Sequence, residues 1–108
     1  MVKYVNANQL EEIIASADKP VFCDFWASWC GPCRMLAPVF EAVSDKYEDK
    51  AIFVKIDVDE EDSEAAAMKY RITSIPNVIV FKGGEPVANN LGFIPQEAFE
   101  KFVEDNLY

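Results

Sequence analysis

VFCDFWASWCGPCRMLAP, residues 21–38, is the stretch whose reading decides the fold. It opens with an apolar run, Val21 to Trp26, too short for a helix and rich in strand formers. It closes with apolar residues at helical spacing, Met35, Leu36, Val39, Phe40 and Val43. Between them lie Cys30 and Cys33, separated by Gly31 and Pro32. Two thiols so spaced at a strand-to-helix junction close a small ring with little loop entropy to lose. Unpaired backbone N–H groups and the dipole at a helix start favour a thiolate at the first cysteine. The second cysteine lies one turn on, within reach of a disulfide made by the first.

Three chemistries fit such a pair. Zinc needs about four ligands, and only Cys23 remains, with no histidine in the chain. A purely structural disulfide closing so short a loop stabilises little by the chain-entropy argument. Redox exchange is the third, and the surrounding residues favour it: an acid, Asp24, inside the preceding strand, and a tryptophan, Trp26 or Trp29, on each side of the bend.

The rest of the chain narrows the class. With 108 residues, 51% of them apolar, it is long enough for one core and one domain, residues 1–108. Ten basic residues stand against 19 acidic ones, a formal charge of -9. Nucleic-acid binding is therefore not expected, since no basic stripe is present to displace counterions from phosphates. No apolar run approaches the roughly 18 residues of a membrane span, and MVKYVNANQL lacks a signal peptide's apolar core. Three cysteines do not read as a secreted disulfide framework, so a reducing cytosol is the expected setting.

In chain order, Val2 to Val5 is a short strand. Asn8 is the expected cap of a first helix, with Glu11 as its capping-box partner and Leu10, Ile13, Ile14 and Ala17 along one face. Asp18-Lys19-Pro20 ends it. The strand from Val21 is apolar on both faces except at Asp24, the pattern of a central strand covered on both sides. A helix from about Pro32 to Tyr47 tolerates Pro32 in its first turn but contains Pro38, which removes a backbone hydrogen bond. AIFVKID, residues 51–57, is a second buried strand carrying Lys55. The acidic stretch from Val58 to Glu64 has no glycine for an EF-hand turn and reads as a solvated loop. Ser63 or Asp62 is expected to cap a short helix to Tyr70, with Ala65, Ala66 and Met68 facing inward. NVIVFK, residues 77–82, then Gly83-Gly84 and residues 85–91 make a hairpin whose second strand, with Pro86, suits an edge. Pro95 opens a last helix with Phe99, Phe102, Val103 and Leu107 on one face. This is an α/β plan with helices on both faces of a mixed sheet.

Trp29-Cys30-Gly31-Pro32-Cys33 behind Asp24-Phe25-Trp26-Ala27 resembles the thioredoxin family at its most specific point. The resemblance extends to Ala37-Pro38, to Lys55-Ile56-Asp57-Val58-Asp59, to Ile75-Pro76, and to Phe81-Lys82-Gly83-Gly84 with Gly92 behind it, so it covers essentially the whole chain. It implies the thioredoxin fold: a five-stranded mixed sheet flanked by four helices, in the order first, third, second, fourth, fifth strand, with a cis Ile75–Pro76 peptide.

It also implies a protein that reduces disulfides in other proteins. Cys30 would be the nucleophile and Cys33 the resolving thiol, the two ending as a disulfide. Asp24 would lie beneath Cys33 and help it lose its proton, with Lys55 as the charge partner, so that these four form the catalytic set. A carboxyl in mid-strand should have a raised pKa, unless it turns out to solvent at a strand end. Lys55 could equally snorkel from its strand, and Cys23 reads as core packing. Trp29, Gly31, Pro32, Ile75, Pro76, Gly92 and Phe93 would receive the partner chain, with Phe93 narrowing that surface. Trp26 and Pro38 would be structural. Asn77 departs from the threonine usual after the proline. No metal or organic cofactor is implied; the expected partners are protein disulfides and an NADPH-dependent thioredoxin reductase, and the expected state is a monomer. The rival readings are a thiol oxidase or isomerase, and a redox-silent subunit of a larger enzyme.

Overall fold

A computed structural model describes all 108 residues. In chain order the elements are β1 (Val2–Tyr4), α1 (Ala7–Ser16), β2 (Val21–Trp26), α2 (Gly31–Lys46), β3 (Ile52–Asp57), α3 (Glu64–Lys69) after a 3-10 turn at Glu61–Ser63, β4 (Asn77–Lys82), β5 (Glu85–Leu91) and α4 (Gln96–Asp105). The five strands form one sheet in the order β1-β3-β2-β4-β5, as the resemblance implies. β1 and β2 both run parallel to β3, while β4 is antiparallel to β2 and to β5. β2 is thus paired along both edges, which accounts for its near-continuous apolar sequence.

The pleat sorts side chains between two cores. Val21, Cys23 and Phe25 of β2 join Val54, Ile56, Ile79 and Phe81 beneath Leu10 and Ile14 of α1 and Ala66 of α3. Phe22 joins Phe53, Val78 and Val80 on the other side, beneath Leu36, Phe40 and Val43 of α2 and Phe99 and Val103 of α4. Asp24 alternates with Phe22 and lies laterally beside Lys55 of β3 and Val78 of β4, so the acid belongs to the α2/α4 side. The hairpin turn takes positive φ at Gly83 and Gly84. A register shift between Val80 and Phe81 lets Pro86 sit on the edge strand. No helix is long and apolar enough to cross a membrane.

Several expectations need correction. The cap of α1 is Asn6, not Asn8: Asn6 Oδ1 accepts from the Gln9 N–H at 2.9 Å, and Gln9 Oε1 accepts from the Asn6 N–H at 2.9 Å. The helix therefore starts two residues earlier, and Glu11 is free to accept from Lys69 Nζ at 2.7 Å and the Tyr70 hydroxyl at 2.6 Å, joining α1 to the α3 end. Neither Ser63 nor Asp62 caps α3 through its side chain; Asp62 instead accepts from Asn6 Nδ2 at 3.3 Å. Ala65 and Met68 face solvent because so short a helix buries one narrow stripe, filled by Ala66. Met35 is exposed as well. Pro95 sits at the cap of α4, one residue before its first turn.

The two asparagines distinguish the caps experimentally. Asn6→Ala should lower stability by about 1 kcal/mol, the usual cost of losing a cap, and Asn8→Ala should cost much less, as read from urea unfolding midpoints.

Candidate active site

The site is built where β2 hands the chain to α2. Cys30 occupies the N-cap of α2 in an extended conformation, and its Sγ accepts from the Cys33 N–H at 3.2 Å. Pro32, in the first turn, has no N–H to leave unpaired. Cys30 and Cys33 are joined as a disulfide with Cα atoms 5.2 Å apart. Both are largely covered in this state, Cys30 with 5% and Cys33 with 1% of its surface exposed. The two differ little in exposure in this oxidised state.

Around the ring, the residues expected to meet a partner converge from three loops. Trp29 is 67% exposed, and its indole N–H donates to Asp59 Oδ2 at 2.6 Å. That anchor to the acidic loop was not legible in the sequence, where Asp59 read as part of a solvated loop and of a family motif without an assigned contact. A Cβ placed on Gly31 would meet nothing within 4 Å, so this side of the helix mouth is open. The Ile75 carbonyl oxygen lies 3.8 Å from Cys30 Sγ, and the Ile75–Pro76 peptide is cis. The Gly92 N–H donates to the Pro76 carbonyl at 2.7 Å, tying the loop after β5 to the loop before β4. Gly92 has φ of 82°, a conformation that favours glycine. Phe93 is half-buried against the α2/α4 core. Asn77 accepts from Asn89 Nδ2 at 3.2 Å on the α1/α3 face, which absorbs the departure from threonine within the hairpin.

Asp24 is fully buried, and neither carboxyl oxygen has a hydrogen-bond partner. Lys55 Nζ stands 4.0 Å from Asp24 Oδ2 and is itself only 5% exposed. The lysine does not snorkel: its ammonium lies 4.6 Å from the centroid of the Trp26 ring and 5.6 Å from that of Tyr4. Burial pushes the Asp24 carboxyl up to about 7, with Lys55 pulling in the opposite direction. A carboxyl poised there can hold or release a proton near neutral pH, which an ordinary aspartate cannot. Cys33, in the first turn of α2, belongs to the same side of the sheet. Cys23 lies on the opposite face, where burial and then the neighbouring Asp24 push its thiol up. It is core, as expected.

A dithiol at a helix N-terminus, closed into a ring where β2 meets α2 in a sheet of this order, defines a thiol-disulfide oxidoreductase. The sequence comparisons agree. A family model described as thioredoxin matches residues 1–105. A thioredoxin of Staphylococcus haemolyticus is 47% identical over 107 residues, covering 99% of this chain and 98% of that protein. Thioredoxins of Staphylococcus saprophyticus and Staphylococcus aureus are each 51% identical over 84 residues, 78% of this chain and 79% of theirs. The chain belongs to the thioredoxin family, and its redox-active centre is the Cys30–Cys33 pair.

The buried acid has a pH signature. With its folded pKa raised from the ordinary 3.8 to about 7, Asp24 binds a proton more readily in the folded than in the unfolded chain. Stability is then full below about pH 4 and falls as pH rises through about 7. Asp24→Leu removes this dependence. The stability of the variant relative to the wild type should grow across that window by up to about 4 kcal/mol and then level off. Urea unfolding of both oxidised proteins at about pH 4.5 and about pH 8.5 reads it; a gap equal at both would mean that the carboxyl is not desolvated.

Proposed function

We propose that the protein is a general reductant of protein disulfides, working as one domain over residues 1–108 and as a monomer in a reducing cytoplasm. The Cys30 thiolate attacks one sulfur of a substrate disulfide; that bond breaks, the departing substrate thiolate takes up a proton, and a mixed disulfide remains on Cys30. Cys33 gives its proton to Asp24 and attacks Cys30 Sγ, which releases the second substrate thiolate. Two electrons have then passed to the substrate, and the Cys30–Cys33 disulfide is the oxidised product. The observation that carries this division of labour is the N-cap position of Cys30, with the Cys33 N–H aimed at its sulfur at 3.2 Å.

Lys55 supplies the countercharge that lets Asp24 ionise when it must. Trp29, Gly31, Pro32, Ile75, Pro76, Gly92 and Phe93 receive an extended segment of the partner, and the Ile75 carbonyl beside Cys30 Sγ supports that placement. Trp26 and Pro38 act through the scaffold. An NADPH-dependent thioredoxin reductase returns the ring to the dithiol.

Insulin reduction coupled to such a reductase and NADPH tests the proposal. Wild type should turn over; Cys30→Ser should be inactive; Cys33→Ser should accumulate the mixed disulfide, visible as a mass increase on Cys30. Stable adducts on Cys33 in the Cys30→Ser protein would reverse the assignment. A measured reduction potential near about -180 mV, the region of protein disulfide isomerase, would favour the oxidase or isomerase reading instead.

A further inference from the structure

Lys55 makes no hydrogen bond to hold its ammonium, yet the side chain is almost wholly covered and the ammonium stands 4.0 Å from Asp24 Oδ2. What surrounds it is aromatic. Tyr4 lies directly opposite Lys55 in the β1/β3 register, so the two side chains leave the sheet on the same face. The Tyr4 ring packs edge-on against the Trp26 ring, centroids 6.2 Å apart, and the ammonium lies over both. Tyr4 is 64% exposed and occupies a strand of only three residues at the sheet edge. A ring so exposed contributes little to the core, which leaves the cation as its main neighbour of consequence.

The alternative position for the ammonium is also visible. Tyr4, Trp26 and Lys55 line a surface hollow of about 430 Å³ together with Asp57, Glu60 and Asp62. Three carboxylates border the hollow, Asp57 from the same strand and face as Lys55, Glu60 and Asp62 from the loop that follows, and all three are more exposed than Asp24. An ammonium drawn toward them leaves the buried carboxyl without its countercharge.

We propose that Tyr4 is a positioning residue for the redox centre: its ring, with that of Trp26, closes an aromatic wall that holds the Lys55 ammonium against Asp24 and away from the carboxylates of the hollow. This rests on the role given to Asp24 above only for its kinetic consequence; the placement of Lys55 stands on the geometry. Other titratable groups bear on the pair: Cys23 from the far face of β2, Asp57 two residues along β3, and Glu60 and Asp62 at the rim of the hollow, while Cys33 of α2 is held in the disulfide of the oxidised protein.

The test is carboxyl NMR titration of the oxidised full chain labelled with carbon-13. Tyr4→Leu keeps apolar bulk on the strand but removes the ring face, and should move the Asp24 midpoint upward by about half a pH unit, the equivalent of a modest cation–aromatic interaction. Tyr4→Phe should leave it unchanged. In a Lys55→Met background, Tyr4→Leu should add nothing further, which separates an effect through the lysine from general loosening of β1. An unchanged or lowered midpoint in Tyr4→Leu, or the same rise without Lys55, overturns the proposal. The pH profile of mixed-disulfide resolution, followed in single turnovers, should move with the titration. A titration that moves while that profile stays fixed overturns the proton-acceptor role of Asp24 and leaves the positioning by Tyr4 in place.

Discussion

A strand hydrogen-bonded along both edges and covered on both faces excludes water, and β2 is such a strand. Placing a carboxyl at its centre fixes much of what surrounds it. Asp24 finds no hydrogen-bond donor, so at low pH it is stable as a neutral acid and at high pH it depends on a charge delivered from next door. That charge comes from β3, whose register puts Lys55 laterally beside Asp24 on the same face. Covering most of the lysine in turn requires surroundings that tolerate an ammonium. The two rings supplied by Trp26 and Tyr4 meet that need. One acid on the central strand thereby enlists residues from three strands.

The dithiol depends on the same strand in a different way. β2 ends at Trp26 and α2 begins at Gly31, so the first turn of the helix is held at the sheet's end by a short connection. The orphan N–H groups of that turn need acceptors, and Cys30 Sγ is one. The helix can afford Pro32 in this turn and Pro38 further on because Leu36, Phe40 and Val43 anchor it to the sheet. Trp29 is held by Asp59 from the far end of β3, and Ile75 and Gly92 arrive on loops tied by one backbone hydrogen bond. The surface around the disulfide is therefore a junction of loops on rigid supports.

How much of this was legible in the sequence depended on whether a feature is set locally or by position. The unbroken apolar run of β2 and the cysteine spacing are local, and both gave the right strand and the right junction. The sheet order, by contrast, came from the resemblance, since no periodicity encodes which strands become neighbours. Asn6 and Asn8 are equivalent caps by residue type; the choice fell to Asn6 because Gln9, rather than Glu11, is placed to answer it, while Glu11 is claimed by α3. Met35 and Met68 satisfy helical spacing but lie at the rims of their stripes, where side-chain direction and the reach of the neighbouring element decide burial. Tyr4 read as evidence for a strand, and nothing in a linear pattern shows that it would meet a lysine about fifty residues away.

The two faces of the sheet divide the physical work. On the α1/α3 side the core is aliphatic with Phe25, Phe81 and a free cysteine, and its polar fastening, Glu11 to Lys69 and Tyr70, is at the surface. On the α2/α4 side the core is aromatic: Phe22 stacks on Phe53 at 5.2 Å, Phe40 meets Phe53 edge-on at 5.6 Å, and Phe40 and Phe99 lie 5.7 Å apart. Broad rigid rings fill that space. Asp24, two residues from Phe22 on the same strand and hence on the same face, is fully buried there. A looser core there would admit water and return the carboxyl to its ordinary range. The raised pKa of the carboxyl is thus set by the packing on both faces of the central strand as much as by the residue itself.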